Sequence, residues 1–251
     1  MIVRKIKNIF VSLIVTLLLG VGAYPFAIYY FHDVEKLITQ YPEFKLNNKD
    51  VERYHIVKNK PRYWVRLNEI SAYGKWAIIL SEDWAFYQHK GIDIEQLKIA
   101  VNDGLKEGKL RGASTITQQM VKNVYLDGSR SFFRKFKELI ITYKVEKFLN
   151  KQRILEIYLN SIEFGPGIWG IRNASYHYFR KHPSQLNPRE ASFLAMLLPS
   201  PKRYYESYRR KSLTKFARVR VNATLTKLKM AKVISHDEYV FYRQFKMSWE
   251  N

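Results

Sequence analysis

A mainly α-helical domain behind an N-terminal membrane anchor is the architecture this sequence predicts. Three observations predict it. The stretch from Asn8 to His32 holds no Asp, Glu, Lys or Arg. From Ser71 onward, apolar residues recur at the three- and four-residue spacing of helices. Little of the chain alternates apolar and polar residues as a half-buried strand does.

At the N-terminus, Arg4, Lys5 and Lys7 precede the uncharged stretch. A helix rises ~1.5 Å per residue, so about 20 apolar residues cross a hydrocarbon core of about 30 Å. Residues 9–31 suffice for a single-pass anchor, and the basic flank places residues 1–8 in the cytoplasm. Val21-Gly22-Ala23 also resembles a signal-peptide cleavage site. Either reading exports the rest of the chain. Residues 32–60 are polar, charged and weakly periodic, and read as a stalk or linker. Tyr63, Trp64 and Val65, within 61–67, suit a short strand or an extended lead-in.

Trp76 to Leu80 is apolar nearly all round, which predicts a buried helix whose next turn carries Glu82 and Asp83. Ile94, Leu97, Ala100, Val101 and Leu105 share one helical face, as do Phe132, Phe133, Phe136, Leu139, Ile140 and Tyr143. Asn150 is placed to cap a helix from Lys151 to Leu159. Gly165-Pro166-Gly167 breaks the chain, and helices are expected near 171–178 and 188–198, the latter stopped by Pro199 and Pro201. The main domain is assigned to 61–210. Residues 211–251 form a basic helical part, with a helix from Ser212 to Met230, that packs on the domain or extends it.

Composition narrows the function. Hydrophobic residues make up 47% of the chain, enough for a buried core. The absence of cysteine excludes disulfides and thiolate metal sites. The net charge is +21, from 43 Lys+Arg against 22 Asp+Glu, which favours polyanionic partners such as nucleic acid, anionic lipid or pyrophosphate. Export argues against nucleic acid and for lipid head groups and cell-wall precursors.

Four stretches carry candidate chemistry. In Ser81 to Gly91, two carboxylates, Glu82 and Asp83, come directly after the buried helix. A carboxylate in low-dielectric surroundings has a raised pKa and suits acid/base work. An exposed acidic helix end is the plainer alternative, and His89 alone reads as a structural histidine. In Arg111 to Gln119, Thr115 and Gln118 fit a capping box, while Ser114 and Thr117 add hydroxyls at a helix start suited to anions. Gln118 and Gln119 offer paired amides for sugar hydroxyls. Lys122, Arg130, Arg134 and Lys135 then lead into Glu138. Such cations suit pyrophosphate oxygens, and an Arg134–Glu138 intrahelical salt bridge is the plainer alternative.

Taken in order, these stretches resemble a known family. Glu82-Asp83-x-x-Phe86-x-x-His89-x-Gly91, Gly112-Ala113-Ser114-Thr115-Ile116-Thr117-Gln118-Gln119, Arg134-Lys135-x-x-Glu138 and Arg153 to Asn160 resemble the successive motifs of the peptidoglycan glycosyltransferases, glycosyltransferase family 51. Glu163 to Ile171 and Glu190 to Pro201 extend the match, and Trp64-Val65-x-Leu67 is similar to the monofunctional biosynthetic branch. Ser81 stands where that family often has Ala, and Arg180 where Gly is usual.

The resemblance implies a lysozyme-like fold with a smaller membrane-proximal lobe. It implies joining of lipid II to a growing lipid-linked glycan by an inverting β-1,4 transfer, with Glu82 as base. It implies a supporting, cation-orienting or proton-transfer role for Glu138. Lys122, Arg130, Arg134 and Lys135 would hold pyrophosphate, and Ser114, Gln118 and Gln119 would position the donor. Asp83, Phe86, His89, Gly112 and Thr115 would hold the site in shape. A divalent cation, Mg2+ or Mn2+, assists many relatives, with no dedicated metal cage here and no organic cofactor. Other cell-wall synthesis or division proteins are expected partners. Ser212-Leu213-Thr214-Lys215 matches the Ser-x-x-Lys of penicillin-binding transpeptidases, but no Lys-Thr-Gly or Ser-Asp-Asn is present and the chain after Lys215 is short. Transpeptidase activity is therefore not expected. A glycan-cleaving enzyme and a cationic scaffold are the rival readings.

Overall fold

The computed structural model describes residues 25, 27–29, 32–47, 50–107, 114–126 and 131–251. The predicted anchor, 9–31, lies outside them except for 25 and 27–29, which are helical. Among the described residues, no helix is long and apolar enough to cross a membrane.

Residues 32–60 depart from the expected stalk. Val34–Ile38 forms a 3-10 turn with Val34 and Leu37 buried. Strands β1 (Tyr41–Asn47) and β2 (Asp50–Val57) pair antiparallel, with Phe44 opposite Tyr54. Phe44, Tyr54 and Ile56 turn onto the domain, and the Tyr54 hydroxyl donates to the Ser161 carbonyl at 2.7 Å. Apolar and polar residues do alternate over Phe44-Lys45-Leu46 and Tyr54-His55-Ile56, but each run is short. The segment 61–67 turns at residues 62–63 and is extended only over 64–66 before a 3-10 turn, Leu67–Glu69, begins; it does not pair as a strand, because side chains of one helix take the partner's place. Asn160 accepts from Val65 N at 2.9 Å and donates back to Val65 O at 2.8 Å, and Glu156 accepts from the Trp64 indole and from Leu67 N.

The site is built from helices. α1 (Ala72–Glu82) is N-capped by Ser71 and buries Ala77, Ile78 and Ile79. α2 (Ile94–Glu107) is succeeded by α3 (Ile116–Tyr125), α4 (Phe132–Phe148) and α5 (Lys151–Ser161), whose N-cap is Asn150. A short antiparallel pair, β3 (Glu163–Gly165) and β4 (Ile168–Trp169), turns the chain into α6 (Ile171–Phe179). Then come α7 (Pro188–Leu197), the single turns α8 (Pro201–Tyr204) and α9 (Glu206–Arg209), α10 (Lys215–Met230) and α11 (His236–Gln244).

The core is helix on helix. α7 is buried along its whole length and packs against both α1 and α10, while α3 packs against α4 and α5. α10 buries Ala217, Val221, Leu225 and Leu228 and also touches α1, so the domain continues past residue 210. α4 starts with the aromatic run that shares one helical face, but much of that run faces outward. Phe132, Phe133 and Tyr143 are 95%, 74% and 67% exposed, whereas Glu138, Thr142 and Lys144 are buried. α2 likewise exposes Ile94, Leu97 and Val101.

Two backbone positions answer questions the sequence raised. Gly91 has φ +84, and a Cβ there would lie 2.7 Å from Thr142 Cγ2 and 2.9 Å from Glu146 Cγ. Arg180 ends α6 at φ 59, ψ 30, so it makes the left-handed turn that glycine makes without steric cost.

Candidate active site

The site begins where α1 stops. Asp83 comes just after the last helical residue, and its carboxylate joins two distant pieces of chain. One oxygen pairs with the His89 ring at 2.8 Å, and the other accepts from Ile116 N, in the first turn of α3, at 2.9 Å. Asp83 is 7% exposed. A carboxylate at a helix N-terminus satisfies an amide that has no intrahelical partner. Asp83 thereby docks the start of α3 against the end of α1.

Thr115 and Gln118 close that start as a capping box. Thr115 Oγ1 accepts from Gln118 N at 3.2 Å, and the Gln118 amide oxygen accepts from Thr115 N at 3.0 Å. Thr115 Oγ1 also donates to Gly91 O at 2.6 Å. Gln118 is buried, and its amide oxygen serves the helix start. Ser114, just before the cap, is exposed. Phe86 is fully buried with the Lys151 ammonium 4.6 Å from its ring centre.

Gln119 is the link to Glu82. Its amide nitrogen donates to Glu82 Oε2 at 2.9 Å, and its amide oxygen accepts from the Tyr158 hydroxyl at 2.9 Å. Burial, with Glu82 and Asp83 nearby, pushes the Tyr158 phenol well above its ordinary pKa and keeps it a donor. Burial also raises the Glu82 pKa, opposed by the Gln119 hydrogen bond and by the positive charges of Arg220 and Lys227 on α10. The result is a half-buried carboxylate, oriented by an amide, with its affinity for a proton increased. Such a group suits proton abstraction.

The second carboxylate, Glu138, is 2% exposed on α4. Arg134 donates to one of its oxygens at 3.0 Å, and Lys135 pairs with the other. The intrahelical pair expected from spacing is thus present, and it holds two cations beside one buried carboxylate. Lys122 is exposed on α3, one helical turn beyond Gln119. Gly112 and Arg130 lie outside the described residues.

Asp83, His89 and Asp93 bring ligand-type atoms within 4.8 Å of one another. These groups already hold the chain together: Asp83 through the two bonds above, Asp93 by accepting from Gln96 N at 2.9 Å. The surroundings of Glu138 fit a divalent ion poorly. Both carboxylate oxygens are engaged by cations, whose charge would repel the metal.

Sequence reasoning missed Tyr158 and the approach of Arg220 and Lys227 to Glu82. Tyr158 stood within a motif stretch, which was a usable signal. Arg220 and Lys227 read only as part of the basic helix from Ser212 to Met230, and nothing local revealed which way they turn.

The sequence pattern of the transglycosylase family matches residues 47–229. The biosynthetic peptidoglycan transglycosylase of Janthinobacterium sp. is 46% identical over 147 residues, which are 58% of this chain and 63% of that protein. The protein of the same name from Nitrosomonas eutropha is 42% identical over 172 residues, 68% of each chain. That from Brucella suis is 41% identical over 151 residues, 60% of this chain and 67% of the relative. The aligned part thus spans about two thirds of these relatives' length. The match takes in both Glu82 and Glu138, and the chain belongs to the transglycosylase family.

Proposed function

We propose that this chain is a peptidoglycan glycosyltransferase that polymerises lipid II into β-1,4-linked glycan strands, inverting the anomeric centre and releasing undecaprenyl pyrophosphate. The observation that carries the reading is the Tyr158–Gln119–Glu82 chain: a carboxylate with raised pKa, fixed by an amide at 2.9 Å. Family membership and the names of the relatives support the substrate class.

In the proposed step Glu82 takes the proton of the acceptor's GlcNAc 4-hydroxyl. That oxygen attacks the donor's anomeric carbon from the face opposite the pyrophosphate. The bond from that carbon to the pyrophosphate oxygen breaks, and the electron pair leaves with the phosphate. Such a leaving group needs neutralisation more than protonation. Lys122, Arg130, Arg134 and Lys135 are proposed to supply it, with Glu138 holding Arg134 and Lys135 in place. Gln119 serves the base. Ser114 is proposed to meet the donor. No step runs through a protein-held metal; a divalent ion is proposed to travel on the pyrophosphate itself.

We further propose a lysozyme-like domain with a smaller lobe that meets the membrane. The exposed Phe132, Phe133 and Tyr143 of α4, and Ile94 and Leu97 of α2, support such a face. Residues 9–31 would anchor it in the cytoplasmic membrane, with residues 1–8 inside, the domain outside, and wall-synthesis or division proteins as neighbours. Lys144 supports the anchor's exit. It is buried and donates to Tyr29 O and His32 O at 2.7 Å each, so the chain leaving the predicted anchor is held against α4. Transpeptidation is not part of the proposal, because the chain lacks Lys-Thr-Gly and Ser-Asp-Asn.

The test is incubation of purified protein with labelled lipid II in detergent. A ladder of glycan chains that muramidase digests supports the reading. Loss of turbidity from purified sacculi, without a ladder, would replace it with glycan cleavage.

A further inference from the structure

The end of α1 is held from a third side, by α10. Lys227 Nζ donates to Leu80 O at 2.6 Å, in the last turn of the helix that ends at Glu82. One turn earlier on α10, Thr224 Oγ1 shares a hydrogen bond with Ser81 Oγ at 3.1 Å. The two residues immediately before Glu82 are therefore each tied to α10, one through its carbonyl and one through its side chain. An ammonium on a last-turn carbonyl meets an acceptor that the helix leaves unsatisfied, and it opposes the negative end of the helix dipole. Gln119 fixes the Glu82 carboxylate, whereas α10 fixes the backbone from which it projects.

From this arrangement we infer that Lys227 is a positioning residue for Glu82, acting from the C-terminal helix through Leu80 O and assisted by the Ser81–Thr224 bond. The inference rests on the proposed role of Glu82 as base and assigns part of the control of that site to α10.

The charged and titratable groups facing Glu82 are Asp83 beside it, Tyr158 on α5, and Arg220 and Lys227 on α10. Removing the Lys227 charge takes away one of the two cations that favour ionised Glu82. The acid limb of the rate profile, set by protonation of the base, then moves to higher pH. Loss of the Leu80 contact also lets the last turn drift, which reduces turnover more than substrate binding.

The experiment compares wild type, Lys227→Met, Lys227→Arg and Ser81→Ala in steady-state polymerisation of labelled lipid II across pH. Expected for Lys227→Met is a fall in kcat of about tenfold, little change in KM, and an acid limb displaced upward. Lys227→Arg restores both kcat and the limb, and Ser81→Ala gives a smaller fall in kcat. Wild-type kcat and pH profile in Lys227→Met overturns the inference, and so does a loss that Lys227→Arg fails to restore. If wild type polymerises and Glu82→Gln does not, such a result removes the Lys227 role alone. If wild type makes no polymer, the catalytic reading and this inference fall together.

Discussion

Gln119 bonds Glu82 at 2.9 Å through the nitrogen of its amide, and the oxygen of the same amide receives the Tyr158 hydroxyl. Tyr158 fixes which end of the amide faces the carboxylate. Glu82 therefore always meets a donor, although its surroundings favour protonation.

Gln119→Ala tests this relationship. The donor lost in that variant stabilises ionised Glu82, so its removal raises the pKa further. The acid limb of the pH–rate profile moves to higher pH, and kcat falls about tenfold through lost orientation. The measurement is kcat against pH for both proteins. An unmoved limb would mean that another group titrates in it.

Glu82 also sets a pH dependence of stability. Its pKa is raised in the folded state. Such a carboxylate binds its proton more tightly folded than unfolded, so its contribution to stability is fully present below the unfolded pKa. That stability is lost as pH rises toward the folded pKa, where the ionised form is disfavoured. Glu82→Gln is expected to unfold at a higher temperature than wild type at pH 7, with the difference vanishing in acid. Equal thermal midpoints at pH 7 would contradict this.

Asp83→Ala removes the acceptor of Ile116 N and the partner of the His89 ring. Leaving a buried amide unpaired costs about 1–3 kcal/mol. Denaturant unfolding should register that loss. Turnover should fall as well, because α3 carries Gln119 and its docking to α1 goes through this carboxylate. Undiminished stability would mean that the helix start finds another partner.

Arg180→Gly should stabilise. Arg180 has φ 59 at the end of α6, a conformation that costs a side-chain-bearing residue about 1 kcal/mol. Glycine accepts it freely, at the price of a more flexible unfolded chain. A net gain of up to about 1 kcal/mol is expected in denaturant unfolding, with turnover unchanged. A loss of stability would show that the arginine side chain makes up for its backbone.

Helical periodicity made most of the fold legible. The helix expected from Phe132 was found as Phe132–Phe148, and the capping box at Thr115 opens α3 where the pattern placed it. Periodicity could not tell which face of α4 turns inward. An aromatic stripe reads as core, yet here Glu138 and Lys144 are inside and Phe132 is outside. The β1–β2 hairpin escaped because its alternating runs are short and lie in a strongly charged stretch. Within the site, residue types along the motifs were readable. The bonds that assemble them were not, since Asp83 reaches 33 residues ahead and Leu80 is met from 147 residues away. Gln118 illustrates the limit: its amide suits a sugar, and its position three residues after Thr115 also puts its oxygen in the cap.

The most direct test of Glu82 as the base is polymerisation of labelled lipid II by wild type beside Glu82→Gln, with products resolved on a gel. Wild type is expected to give a ladder of glycan chains, and the variant a rate at least about 100-fold lower. A Glu82→Gln protein that polymerises at the wild-type rate would contradict that role, because the amide cannot accept the hydroxyl proton.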